Sequence, residues 1–229
     1  EWRGESQSRR KNGKLFWVLS SISPVTSTDG AVTNYVAVME DITDRKEQEE
    51  LRNAVLTLSA EIAGCETEDA ICRVVVEGIR KQMNIDRCGM FLGDPRHPPF
   101  RGTYGTDMKG GTTQEHDFAW HIAKERDVAD LFKNGSYKTG VPLGAPETQP
   151  GEEGLYSTLI ALRQGGKGDI FGVISVDNRI TRRPVSEAQM MHIALLAEVL
   201  GNALQVARAR GALRNAVEEA RRANEELEG

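Results

Sequence analysis

The residues best suited to chemistry are scattered, and their spacing argues against most chemistries. His116 and His121 stand five apart. Side chains three or four apart share a helix face, so these two diverge, and no third ligand lies nearby to complete a metal site. Cys65, Cys72 and Cys88 show no C-x-x-C spacing and read as reduced, packed thiols. The stretch "GGKGD" (165–169) lacks the length and the hydroxyl of a phosphate-cradling loop and reads as a turn. His192 is followed by Ile193, whereas a phosphoacceptor histidine is usually followed by an acid, so it reads as a packed residue. G-x-S-x-G and H-E-x-x-H are absent. The sequence therefore predicts no catalytic residue, no metal site and no evident cofactor.

Binding is the remaining possibility. Met90, Trp120 and Ser175 are candidates to line a small-molecule pocket between a sheet and the 105–126 segment, although ordinary core packing is the favoured reading of all three. The net charge of -5 over 229 residues gives no reason to expect a nucleic acid partner. With 39% apolar and 28% charged residues the chain can bury a core. No signal peptide or membrane-length apolar run is expected, so the chain reads as cytoplasmic. It begins at Glu1 without Met and reads as a piece of a longer protein, which could be anchored upstream.

The elements follow from the pattern. Asn12-Gly13 and Asp29-Gly30 are tight-turn dipeptides between β-prone runs, so residues 1–40 predict a three-stranded antiparallel meander. Its Leu15, Phe16, Trp17, Val18, Ile22, Tyr35, Val36 and Val38 lack a cover, and are expected to find one on another chain or on the 44–63 helix, or to be poorly ordered. The strand then runs into a charged helix at Asp41-Ile42-Thr43 with no Gly or Pro between. This is read as a joint, at which Asp41 or Thr43 caps the helix or bonds back to the sheet. A second helix spans 67–83, with Thr67 as its N-cap. Strands are expected at 87–92, 100–105, 136–143, 155–163 and 169–177, with a short helix at 117–126 and a loop at 144–154.

Two helices carry a narrow apolar seam. Leu51, Val55, Leu58 and Ile62 are spaced four, three, four. The last helix begins at a Ser186/Gln189 capping box and runs about forty residues, or roughly 60 Å. Within it Val199, Ala203, Val206, Arg210, Leu213, Val217, Ala220, Asn224 and Leu227 alternate four and three apart, with Asn224 as a register-setting polar position. Both seams predict a parallel homodimer.

The N-terminal segment resembles the C-terminal half of a PAS domain, the PAC motif. The matching residues are the "GE" after Trp2, "RRKNGKLFW", "ISPV", the Asp29-Gly30 turn and "YVAVMEDITDRK". The N-terminal half of that fold is missing. "LYSTLIALRQGGKGDIFGVISVDNRITRRPVSEAQ" resembles the late strands and closing helix of a GAF domain, and "LRNAVEEARRANEELE" resembles the helix entering a histidine kinase. The resemblance implies an α+β chain: the end of a PAS domain at 1–43, a connecting helix at 44–63, a GAF domain at 51–207 and an output coiled coil from 208 to 229. It implies a sensory and regulatory role in a multidomain bacterial signalling protein, relaying to a downstream effector, above all a histidine kinase. The alternatives are a ligand-sensing GAF domain and the regulatory region of a diguanylate cyclase or phosphodiesterase. Cyclic-nucleotide-binding relatives carry an N-K-F-D-E-type set. Here Asn178-Arg179 begins it, but the Phe and the Asp-Glu are missing. Cys88 lacks the partner a bilin-binding cysteine would need.

Overall fold

The computed structural model describes residues 1–94, 97–120, 136–141, 157–166 and 168–227. The chain divides into two compact units, Glu1–Arg52 and Asn53–Gly229.

The first unit is an antiparallel sheet of β1 (Trp2–Arg9), β2 (Leu15–Thr26) and β3 (Val32–Asp41), in that order. Both turns use glycine where φ is positive, Gly13 at 86° and Gly30 at 85°, a conformation that costs other residues strain. The pairing runs from Trp2 opposite Ile22 to Arg9 opposite Leu15. Helix α1 (Thr43–Ala63) begins in this unit and ends in the second. Its first turn covers part of the sheet: Val18 and Ile42 are buried, and Lys46 Nζ lies 5.5 Å from the Trp17 ring centre. Helix α1 does not supply the expected cover over β3: every residue of that strand is exposed within the chain, Tyr35, Val38 and Met39 by 65% or more.

In the second unit, α2 (Glu68–Gln82) starts where expected, with Thr67 Oγ1 accepting from Ala70 N. Its stripe Ile71, Val75, Ile79 and Met83 is buried. The main sheet contains β4 (Arg87–Asp94), β5 (His97–Gly102), β8 (Ala119–Trp120), β9 (Tyr137–Val141), β10 (Ser157–Arg163) and β11 (Ile170–Asp177), in the order β8-β5-β4-β11-β10-β9. A small hairpin, β6 (Tyr104–Thr106) with β7 (Thr112–Gln114), stands apart. The expected strand 100–105 is thus broken at Thr103, whose N–H and hydroxyl both donate to Met90 O. The expected helix at 117–126 is corrected at its start, where Ala119 and Trp120 pair with Arg101 and Phe100 as a strand. Residues 121–126 and the expected loop at 144–154 lie outside the described residues.

Helix α3 (Glu187–Leu227) closes the unit. The capping box is present: Ser186 N donates to Gln189 Oε1 and Gln189 N to Ser186 Oγ. Ile193, Leu196, Leu200 and Leu204 are fully buried. At Gly201 the helix passes so close to the end of β10 that a Cβ would stand 2.5 Å from Arg163 O. One stretch of α3 is apolar and long enough to cross a membrane by length and composition alone. Here that stretch supplies one side of the domain core.

Candidate functional site

The strand-to-helix joint is bonded at every step. Asp41 closes β3 opposite Val18. Its Oδ1 accepts from Thr43 N at 3.0 Å and from Thr43 Oγ1 at 2.6 Å, which caps α1. Thr43 Oγ1 in turn accepts from Trp17 N at 3.0 Å, while Ile42 N donates to Trp17 O at 2.9 Å. Asp41 therefore holds the first N–H of the helix, while Thr43 and Ile42 bond back to the sheet, both to the backbone of Trp17 in β2. Ile42 is buried between them. Arg10 pairs with Asp41 and also lies over Phe16. The Thr43 hydrogen bonds, with Arg10 behind them, hold the Asp41 carboxyl below its ordinary range. A second tie comes from β1: Glu5 pairs with Arg45 and Lys46, each at 2.7 Å. Lys46 pulls the Glu5 carboxyl down in pKa, and its own ammonium is pushed up.

The second candidate is a small cavity of about 60 Å³ over one face of the main sheet. Arg87, Gly89, Phe91, Ser175 and Asp177 line it from β4 and β11, with Thr106 and Glu115 opposite. Glu115 is seated by glycine, because a Cβ on Gly105 would stand 2.0 Å from its Oε1. Thr113 Oγ1 donates to the same oxygen at 3.0 Å. Asp177 is buried, with Arg87 Nε 3.6 Å away. The cavity brings together two carboxylates, one guanidinium and the Ser175 hydroxyl, the Thr106 hydroxyl being bonded to Cys88 N and O, and its volume suits a polar group little larger than a water or two.

A third feature is the point where α3 leaves the domain. Ala207 is its last buried residue. Arg208 follows, paired with Glu68 at the start of α2 and 5.2 Å from the Phe171 ring centre.

Comparison with known proteins accounts for both units. The PAS domain family model matches residues 1–44. No curated protein matches the chain. Among solved structures, the GAF domain of a phosphoenolpyruvate-protein phosphotransferase from Coxiella burnetii is similar at 14% identity and a TM-score of 0.53, covering 72% of this chain and 98% of that one. The corresponding Acinetobacter GAF domain is similar at 14% identity and a TM-score of 0.52, over 69% and 94%. The chromophore-binding domain of the Stigmatella aurantiaca bacteriophytochrome is similar at 15% identity and a TM-score of 0.53, over 86% and 72%. Residues 1–44 are thus similar to the PAS family, and the fold of the rest is that of a GAF domain.

Within the GAF sheet the expected pocket residues do not converge. Residues paired across antiparallel strands point to the same face, and neighbours along a strand point to opposite faces. Ser175 pairs with Gly89 and lines the cavity, but Met90 pairs with Ile174 and points to the opposite face. Helix α3 covers that opposite face, as the 3.8 Å approach of Met190 Sδ to Thr158 Oγ1 records, so Met90 is core. Trp120 sits on β8, at the sheet edge beyond β5, and its side chain lies outside the described residues. Asn178 is used structurally: its Oδ1 accepts from Asp86 N at 2.8 Å, while Asp86 holds Thr181 N at 2.6 Å. Burial pushes the Cys72 thiol up to about 12 and raises that of Cys88, so neither is a ready nucleophile.

The expected N-terminal dimer seam is also corrected. Leu51, Val55, Leu58 and Ile62 are all buried within the single chain, and a Cβ on Gly78 of α2 would stand 2.0 Å from Leu58 Cδ2. The C-terminal positions Val206, Leu213, Val217 and Asn224 are exposed. Glu5 at the joint, and Arg87, Glu115 and Asp177 at the cavity, were missed as site residues, since each meets its own partners only through pairing between distant segments and no spacing in the sequence announces them.

Proposed function

We propose that this chain is a sensory and relay region of a cytoplasmic signal-transduction protein, which dimerises in parallel and biases a downstream histidine kinase. The joint carries this reading. A strand ending at Asp41 and a helix starting at Thr43 leave no slack, so movement of the sheet must move the helix. In this reading residues 1–43 are the end of the PAS domain, 44–63 the connecting helix, 51–207 the GAF domain and 208–229 the start of the output coiled coil. Val206, Leu213, Val217 and Asn224 form the dimer seam, and catalysis belongs to the effector. The test is a chimera in which this chain replaces the sensor region of a reporter histidine kinase, with α3 continued in phase. One alanine inserted between Asp44 and Glu50 turns the following helix by about 100°, whereas seven residues return it to within about 20°. The single insertion should lock or invert autophosphorylation, and the seven-residue insertion should preserve regulation. Equal behaviour would reduce α1 to a spacer and end the proposal.

The cavity supports a second reading, in which the GAF domain senses a small polar ligand at Arg87, Glu115, Ser175 and Asp177. Native mass spectrometry and absorption spectra of the purified chain should then show a bound molecule. Arg87→Ala should release it, and a clean apo mass at every preparation would dismiss this reading.

A further inference from the structure

Arg87 is short of good acceptors. Its side chain is 25% exposed, and its Nε is buried without a hydrogen bond, because Asp177 Oδ1 stands 3.6 Å away. A guanidinium carries five N–H donors and is ordinarily met by oxygen. The contact made by Arg87 Nη1 is instead with the sulfur of Met108, at 2.8 Å. A thioether is a weak acceptor, so this donor is poorly served. Met108 is held in place by its turn, which joins β6 to β7. Asp107 Oδ1 accepts from Lys109 N at 2.8 Å and from Gly111 N at 2.7 Å, and Asp107 N donates to Gly111 O at 2.9 Å. Gly110 closes the turn with a left-handed φ of 79°. Met108 itself is 57% exposed. Met39 and Met191 are as open, at 65% and 57%, whereas Met83 and Met90 are buried. Solvent therefore reaches Met108, whose sulfur keeps a second lone pair besides the one engaged by Arg87.

We propose that Met108 is an oxidation site whose sulfoxide is received by Arg87, so that a peroxide signal reaches the wall of the cavity. The oxidant is hydrogen peroxide. The sulfur lone pair attacks one peroxide oxygen, the O–O bond breaks, and the other oxygen takes up a proton and leaves as water. Sulfur gains one oxygen and loses two electrons, and the peroxide is reduced. The product carries a polar oxygen on a side chain with three rotatable bonds. That oxygen is the acceptor that Arg87 Nη1 lacks, and a hydrogen bond from a charged donor is stronger than one between neutral groups. Sulfoxide formation ordinarily disrupts the contacts of a methionine. Here it ties the β6–β7 turn to β4. Arg87 lines the cavity with Ser175 and Asp177, so the tie changes the cavity wall. The inference needs neither the relay reading nor a bound ligand.

The experiment uses the full chain carrying Cys65→Ser, Met39→Leu and Met191→Leu, which leaves Met108 as the most exposed methionine and Cys72 and Cys88 buried. Hydrogen peroxide is added until peptide mass mapping shows one oxygen on Met108 and none on Met83 or Met90. The melting midpoint of the second unit should rise by about 2–4 °C on oxidation. Met108→Gln, whose amide oxygen imitates the sulfoxide, should exceed Met108→Leu by a similar margin. In an Arg87→Ala background both differences should vanish. A midpoint that falls or stays level on oxidation overturns the proposal, and a rise that survives Arg87→Ala removes Arg87 as the receiver and overturns it too. So does a Met108 that stays unoxidised in the unmodified chain while Met39 and Met191 are converted. If Arg87→Ala does not fold, the comparison of Met108→Gln with Met108→Leu decides alone, and equal midpoints overturn the proposal.

Discussion

Thr43 concentrates most of the joint in one hydroxyl, which accepts from Trp17 N and donates to Asp41. Thr43→Val keeps the shape but strips Trp17 N of its acceptor, which costs about 1–3 kcal/mol for a part-buried donor. Thermal melts should show that loss in the first unit, while Thr43→Ser stays close to the unmodified protein. Asp41 adds a pH dependence of defined sign. Its carboxyl is held low in the folded state, so the stabilisation is full above the unfolded pKa of about 3.9 and is lost as pH falls through the lower folded value. Asp41→Asn imitates the protonated group. Its melting temperature should lie below that of the unmodified chain near neutrality and converge with it in strong acid. A constant gap across that range would mean that the charge is idle. The sequence made Asp41 and Thr43 legible because capping is local chemistry between near neighbours. Glu5 stayed hidden because its partners lie forty residues on, and only the register of β1 brings them together.

The helices show how one pattern can have two causes. The four-three spacing of Leu51, Val55, Leu58 and Ile62 is the spacing of a dimer seam and also that of any helix packed on its own domain. Only the position of Gly78 in α2, against Leu58, decides between them. Glycines in α3 give a matched test of packing against propensity. Gly211 has nothing within 4 Å, so Gly211→Ala should stabilise the helix by roughly 0.5–1 kcal/mol. Gly201→Ala gains the same propensity but drives its Cβ to 2.5 Å from a backbone carbonyl, and overpacking of that kind costs about 1–3 kcal/mol. Denaturant midpoints should move in opposite directions. Movement in the same direction would mean that α3 does not sit tightly on β10. The missed hairpin β6–β7 and the strand at Ala119–Trp120 have a different origin. These segments are two or three residues long, too short to show a period, and pairing with neighbours defines them.

Across the whole molecule the two units differ in how much they bury. Among residues 1–52 only Val18, Ser20, Ile42 and Leu51 are buried, whereas all eight residues of β11 are. Amides of β1–β3 should therefore exchange with deuterium at least tenfold faster than those of β4 and β11, which equal protection would disprove. The order of elements in the GAF fold was readable because its strands are strongly apolar and its helices well capped. The pocket was not, because which face a residue lines depends on strand register, and a shift of one residue exchanges Met90 for Gly89. The exit of α3 carries a mechanical consequence. Residues 208–227 form a lever of roughly 30 Å whose fulcrum is Ala207 and Arg208, so a tilt of about 5° there swings the far end by roughly 2–3 Å. Rearrangements too small to see at Phe171 or Glu68 would arrive at Leu227 magnified. Spin labels at Lys81 and Asn224 should register that gain as a distance change when Arg208→Gln loosens the fulcrum, and an unaltered distance distribution would show the arm to be held elsewhere.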